Sequence, residues 1–122
     1  MGHITKSLSE LVGRTPLFEP VNFEKKYHLN SRLLVKLEYF NPTGSVKDRA
    51  ALAMIEKAER ERKLHPGDTI VEETSGNTGI ALAAYAAAKG YKLVIFFENG
   101  SSLERKQILE AYGAEVLMFT DL

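Results

Sequence analysis

The stretch Thr69-Ile70-Val71-Glu72-Glu73-Thr74-Ser75-Gly76-Asn77-Thr78-Gly79 decides how this chain is read. A short β-branched run gives way to a loop of small hydroxyl, amide and glycine residues. The loop opens an Ala-rich helix, Asn77 to Lys89, closed by Gly90. Downstream, Lys92-Leu93-Val94-Ile95-Phe96-Phe97 reads as a second apolar strand. Ser101-x-x-Glu104 has the form of a capping box opening a helix to Tyr112, closed by Gly113, and Glu115 to Phe119 is the last strand. Upstream, Leu33 to Leu37 reads as a strand stopped by Asn41-Pro42. Ser45 to about Lys63 reads as a helix, with Ser45 and Asp48 offering a cap and a first-turn acid and Pro66-Gly67 ending it. Strands alternating with helices predict right-handed crossovers and an α/β fold: an open parallel sheet of about four strands with helices on both faces. Its expected core is Ile70-Val71 and Val94 to Phe97 with Leu82, Tyr85, Leu109 and Val116.

The first forty residues lack this regularity. Ser7 to Val12 fits one short helix, broken by Gly13-Arg14-Thr15-Pro16. The shift near Asn41 divides the chain into an N-terminal arm, 1–40, and a small α/β domain, 41–122.

Composition removes several function classes. A chain of 122 residues fits one domain that buries about two thirds of its unfolded surface. Sixteen Lys and Arg against sixteen Asp and Glu leave no cationic surplus for nucleic acid. With no Cys there is no disulfide, thiol nucleophile or Cys-based metal site, and His3, His28 and His65 are too scattered for a metal cluster. No apolar run approaches a membrane span of roughly 18 residues. The N-terminus lacks a signal-peptide apolar region and, with Lys6, the myristoylation pattern. Asn99-Gly100-Ser101 is read as a chance sequon. The expectation is a cytoplasmic protein without a metal, nucleic-acid or membrane partner.

Ligands of open parallel sheets bind where strands lead into helices. Three such loops occur, at 41–47, 72–79 and 98–102. In the second, free backbone N–H groups and the positive helix end suit a carboxylate or phosphate, and a well-capped turn explains the same residues. Its glycine spacing matches neither a P-loop nor the dinucleotide fingerprint. In the first, Lys47 stands at the unfavourable end of the helix dipole. Together with burial, that placement would lower its pKa and favour a neutral, nucleophilic amine able to form a Schiff base. A solvated helix lysine is the alternative.

The run Lys36-Leu37-Glu38-Tyr39-Phe40-Asn41-Pro42-Thr43-Gly44-Ser45-Val46-Lys47-Asp48-Arg49 resembles the cofactor-lysine motif of the cysteine synthase and cystathionine beta-synthase family, fold-type II pyridoxal-phosphate enzymes. Thr74-Ser75-Gly76-Asn77-Thr78-Gly79 resembles that family's substrate loop, and Ser102 to Arg105 and Tyr112 to Val116 resemble its next helix and strand. The resemblance implies pyridoxal 5'-phosphate as cofactor, with Lys47 as Schiff-base residue and acid/base at the substrate's α and β carbons. It also implies that Asn77 bonds the cofactor's phenolic oxygen and that Thr74, Ser75, Gly76, Asn77 and Thr78 form the substrate-carboxylate loop. The implied activity is β-replacement on an activated serine such as O-acetylserine by a sulfur nucleophile.

Members of that family are longer. Their second half supplies a phosphate cup and a hydroxyl facing the pyridine nitrogen, and this chain shows no counterpart of either. The expectation is therefore an N-terminal portion, the arm belonging to the larger domain, with homodimerisation or association with the C-terminal half. It would be inactive alone; the alternative is a non-catalytic module that folds or dimerises by itself. Two departures stand out. Glu73 replaces a small residue or Pro, opposing a carboxylate unless it faces solvent, and Phe97 to Ser101 replaces a Met-Pro-Glu-type stretch.

Overall fold

The computed structural model describes residues 4–120. Its arm carries a 3-10 turn at Leu8–Leu11, β1 (Leu17–Phe18), α1 (Val21–Lys26), β2 (Val35–Lys36) and a second 3-10 turn at Glu38–Phe40. The regular unit follows as α2 (Lys47–Arg60), β3 (Thr69–Glu73), α3 (Asn77–Lys89), β4 (Lys92–Glu98), α4 (Leu103–Ala111) and β5 (Glu115–Phe119). β3, β4 and β5 form a parallel sheet in that spatial order, Ile70 opposite Leu93 and Ile95 opposite Val116.

The α/β class and the parallel sheet agree with the sequence reading, but the sheet has three strands rather than about four. The segment expected as a fourth contributes only Val35–Lys36, which pairs antiparallel with Leu17–Phe18. That partner lies nearby in the chain and needs no crossover. The sheet's helices, α3 and α4, also lie on one face instead of two, with α2 packed on α3. Both crossovers step in the same direction across the sheet, and right-handed crossovers of one direction leave their helices on one side.

Period-two alternation then sorts the strands. Leu93, Ile95 and Phe97 are buried beneath α3 and α4 with Leu82, Tyr85 and Leu109, and Ile70 and Val116 are partly buried against them. Val71 and Phe96, both expected in the core, are 59% and 41% exposed, because they point to the uncovered face with Leu117. Ala81 to Ala86 are all buried. The four alanines among them let α3 sit between the sheet and α2, whose Ala51, Leu52 and Ile55 complete the core.

Helix ends follow local chemistry. Gly90, at φ +80°, closes α3 in the left-handed conformation that glycine adopts without a Cβ penalty. The capping box expected at Ser101 does not form: α4 starts at Leu103, and Ser102 Oγ instead donates to the Glu104 carboxylate at 2.5 Å. α1 was not anticipated, because the chain enters it at Pro20 without a side-chain cap.

A polar cluster fastens the arm to α2. Arg49 donates to both Glu38 carboxylate oxygens and, at 3.2 Å, to Thr15 Oγ1. Thr15 in turn donates to Glu38 at 2.6 Å. Asn41, 3% exposed, accepts from the Gly13 N–H at 2.8 Å and donates to Glu38 and to the Ser45 carbonyl. Residues 13–15 and 38–41 are thereby bound to the loop that starts α2.

Candidate active site

Lys47 is the first residue of α2, following Val46 as cap, and its N–H donates to Ser45 Oγ at 3.0 Å. Its side chain is exposed. Its place at the helix start matches the sequence reading; the burial invoked with it is absent, because Lys47 points outward while its neighbour Asp48 takes the buried side of that turn.

The next residue does the structural work at this helix start. Asp48 has no exposed surface, and four donors converge on its carboxylate. The Thr43 N–H reaches Oδ1 at 3.0 Å, the Thr43 hydroxyl reaches Oδ2 at 2.6 Å, and the Ser45 N–H reaches Oδ2 at 3.3 Å. The fourth is the Tyr85 hydroxyl, from the middle of α3. Burial, then the adjacent Asp48 carboxylate, push the Tyr85 phenol well above its ordinary pKa, so it stays a donor at neutral pH. Gly44, at φ +81°, lets the loop fold round the carboxylate.

The second loop lies at the start of α3. Gly76 is the cap residue and offers no side chain, so the first N–H groups of the helix are left for a ligand or water. The Thr74 N–H is held by the Phe96 carbonyl at 3.1 Å, and Thr74 Oγ1 accepts from the Gly76 N–H at 3.3 Å. Arg105 on α4 donates to the Ser75 carbonyl at 3.2 Å. Asn77 is exposed, and Thr74, Ser75, Gly76 and Thr78 are half-buried. A Cβ at position 79 would stand 2.7 Å from Thr74 Cγ2, so glycine there lets α3 and the loop approach closely.

A cavity of about 200 Å³ adjoins this loop on the uncovered side of the sheet, lined by Glu73, Thr74, Ser75, Phe96, Glu98 and Phe119. Glu73 is exposed, and with Glu98 it gives the cavity an acidic rim. The 98–101 segment turns at Gly100 and is tied to the end of β5, Asn99 N–H donating to the Phe119 carbonyl at 2.7 Å.

The fold thus brings the two sequence motifs to the starts of two packed helices. Lys47 and Asn77 share no hydrogen bond among the described residues, and Tyr85, which meets α2 at Asp48, lies about 12 Å along α3 from Asn77. Sequence reasoning treated Asp48 and Arg49 as ordinary charge partners and missed both clusters. The available signals were Thr43 five residues before Asp48 and a lone Tyr85 in an Ala-rich helix.

Residues 8–121 match the family model described as "Pyridoxal-phosphate dependent enzyme", and the chain belongs to that family, whose cofactor is pyridoxal phosphate. It is 54% identical over 112 residues to cysteine synthase of Staphylococcus aureus, across 92% of this chain and 36% of that protein. It is 50% identical over 113 residues to cysteine synthase B of Pseudomonas syringae pv. syringae (92% and 65%) and 48% identical over 114 residues to cystathionine beta-synthase of Oryctolagus cuniculus (93% and 21%). Among solved structures, O-ureido-L-serine synthase superposes with a TM-score of 0.86 at 42% identity, covering 97% of this chain and 36% of that one. The chain therefore spans little more than a third of the Staphylococcus relative it matches.

Proposed function

We propose that this chain carries the cofactor lysine and the substrate loop of a cysteine synthase-like, pyridoxal-phosphate-dependent enzyme that performs β-replacement on an activated serine. The observation that carries this reading is the placement of Lys47 and Thr74–Gly79 at the first turns of two packed helices, α2 and α3. The donor set fits the family's cofactor and an amino-acid carboxylate: an exposed amine at Lys47, the side chain of Asn77, three hydroxyls and an uncapped helix start.

Lys47 Nζ would hold the cofactor covalently, and Asn77 would hydrogen-bond its phenolic oxygen. Thr74, Ser75 and Thr78, with the N–H groups that follow Gly76, would bind and orient the substrate carboxylate. When bound, the cofactor supplies an electron sink for charge developing at the substrate's α carbon. Lys47 then moves a proton at that carbon and at the β carbon. Closure of the loop on the carboxylate would couple binding to exclusion of water. In this reading the arm, 1–40, belongs to a larger domain that supplies the phosphate contacts, through the C-terminal part of the enzyme or a homodimer, in the cytoplasm.

The exposed sheet face favours a second reading, a non-catalytic α/β module that folds or dimerises alone. Following backbone amide shifts during titration with pyridoxal phosphate, then O-acetylserine, separates the two. The enzyme reading expects saturable shifts at residues 74–79 and at 47; shifts scattered over surface lysines favour the module.

A further inference from the structure

We propose that Asp48 and Tyr85 form a positioning pair that sets where Lys47 stands relative to the loop beginning α3. The inference rests on the reading of Lys47 given above and adds residues to it that neither sequence motif marks as functional.

Three observations carry it. Asp48 is fully buried in the first turn of α2, directly after Lys47. Its carboxylate gathers both polar groups of Thr43 and the Ser45 N–H, which defines the path of the chain into that turn. A carboxylate so placed has no conformational latitude while its oxygens are occupied. The fourth donor, the Tyr85 hydroxyl, comes from α3, the helix whose first turn carries Asn77. Tyr85 is itself fully buried, so its hydroxyl is fixed by the core and not by the loop. The pair is a rigid strut between the two helices that hold the two halves of the site. Misplacement of a reacting group by about 1 Å costs on the order of a hundredfold in rate, so such a strut has a chemical consequence beyond stability.

The molecule supplies a less buried bond of the same kind for comparison. At the other end of α2, Tyr91 donates to Glu59 at 2.7 Å, a second tyrosine–carboxylate bond on the same helix but far from Lys47. Tyr85→Phe and Tyr91→Phe each delete one hydroxyl from such a bond.

The test compares these two variants with the unaltered chain by backbone amide hydrogen exchange at Thr43 and Ser45. A second readout is the fraction of borohydride-trapped pyridoxal phosphate recovered on Lys47. Tyr85→Phe is expected to speed exchange at Thr43 and Ser45 by about tenfold and to lower the Lys47 share of the label, with circular dichroism unchanged. Tyr91→Phe should change neither. Equal effects of both variants, or unchanged exchange at Thr43 and Ser45 in Tyr85→Phe, would overturn the proposal. Should Tyr85→Phe not fold, Thr43→Val, which removes one loop contact to Asp48, replaces it with the same two expectations. If the unaltered chain labels no lysine preferentially, the reading of Lys47 fails. The exchange comparison then still decides whether the pair orders the loop.

Discussion

The guanidinium of Arg49 grips the carboxylate of Glu38 through two hydrogen bonds, of 2.9 and 3.0 Å, and so joins the arm to the helix that carries Lys47. Arg49 first, then Thr15 and Asn41, hold the Glu38 carboxyl far below its ordinary value, at about 2. A carboxyl depressed in the folded state contributes its stability fully above its unfolded pKa, near 4.5, and loses it as pH falls towards 2. The hold of Glu38 on Arg49 and Thr15 should therefore weaken between about pH 4.5 and 2, loosening residues 13–15 from α2. Amide shifts of Gly13 and Thr15 followed through an acid titration check this, and Glu38→Gln should abolish the transition.

Gly79→Ala should destabilise the chain by about 1–3 kcal/mol, because the new Cβ would stand 2.7 Å from Thr74 Cγ2. Thermal unfolding measures it. Thr74→Ser in the same chain removes the methyl in contact and should recover part of the loss, whereas Gly67→Ala, with nothing near its Cβ, should show no such rescue.

Glu73 and Glu98 rim the cavity beside the loop, and because Glu73 is exposed its charge opposes an anion there only weakly, through solvent. Glu73→Gln should tighten binding of pyridoxal phosphate or an amino-acid carboxylate by about twofold at low salt, with the gain shrinking as salt is added. Titrations at two ionic strengths would read this out; a salt-independent gain would point to a steric cause.

Val71, Phe96 and Leu117 form an apolar stripe on the uncovered face of the sheet. Such a surface drives association. Replacing all three with Thr should weaken self-association roughly tenfold while leaving the melting temperature nearly unchanged, since none contributes to the core. Sedimentation velocity at rising concentration is the measurement, and a fully monomeric parent chain at high concentration would contradict the expectation.

The same stripe shows what the sequence conceals. Strand and helix types were legible because the chemistry is local: β-branched runs, an alanine-rich segment beginning at Asn77, and Gly90 where the chain must turn left-handed. The contiguous apolar run Val94 to Phe97 gave no sign that alternate residues face a covered and an uncovered side, which depends on the direction of both crossovers. In the site, Lys47 and the Thr74–Gly79 loop stood out because each violates or exploits a helix dipole. The Asp48–Tyr85 bond did not, because its partners are 37 residues apart and meet only when α2 packs on α3.

Lys47 is the residue proposed to take the cofactor. The most direct test is borohydride trapping of pyridoxal phosphate on this chain, followed by peptide mapping, with Lys47→Ala in parallel. The expected result is a saturable label of one equivalent confined to Lys47 and lost in the variant. Label spread over surface lysines, or retained in Lys47→Ala, would contradict it.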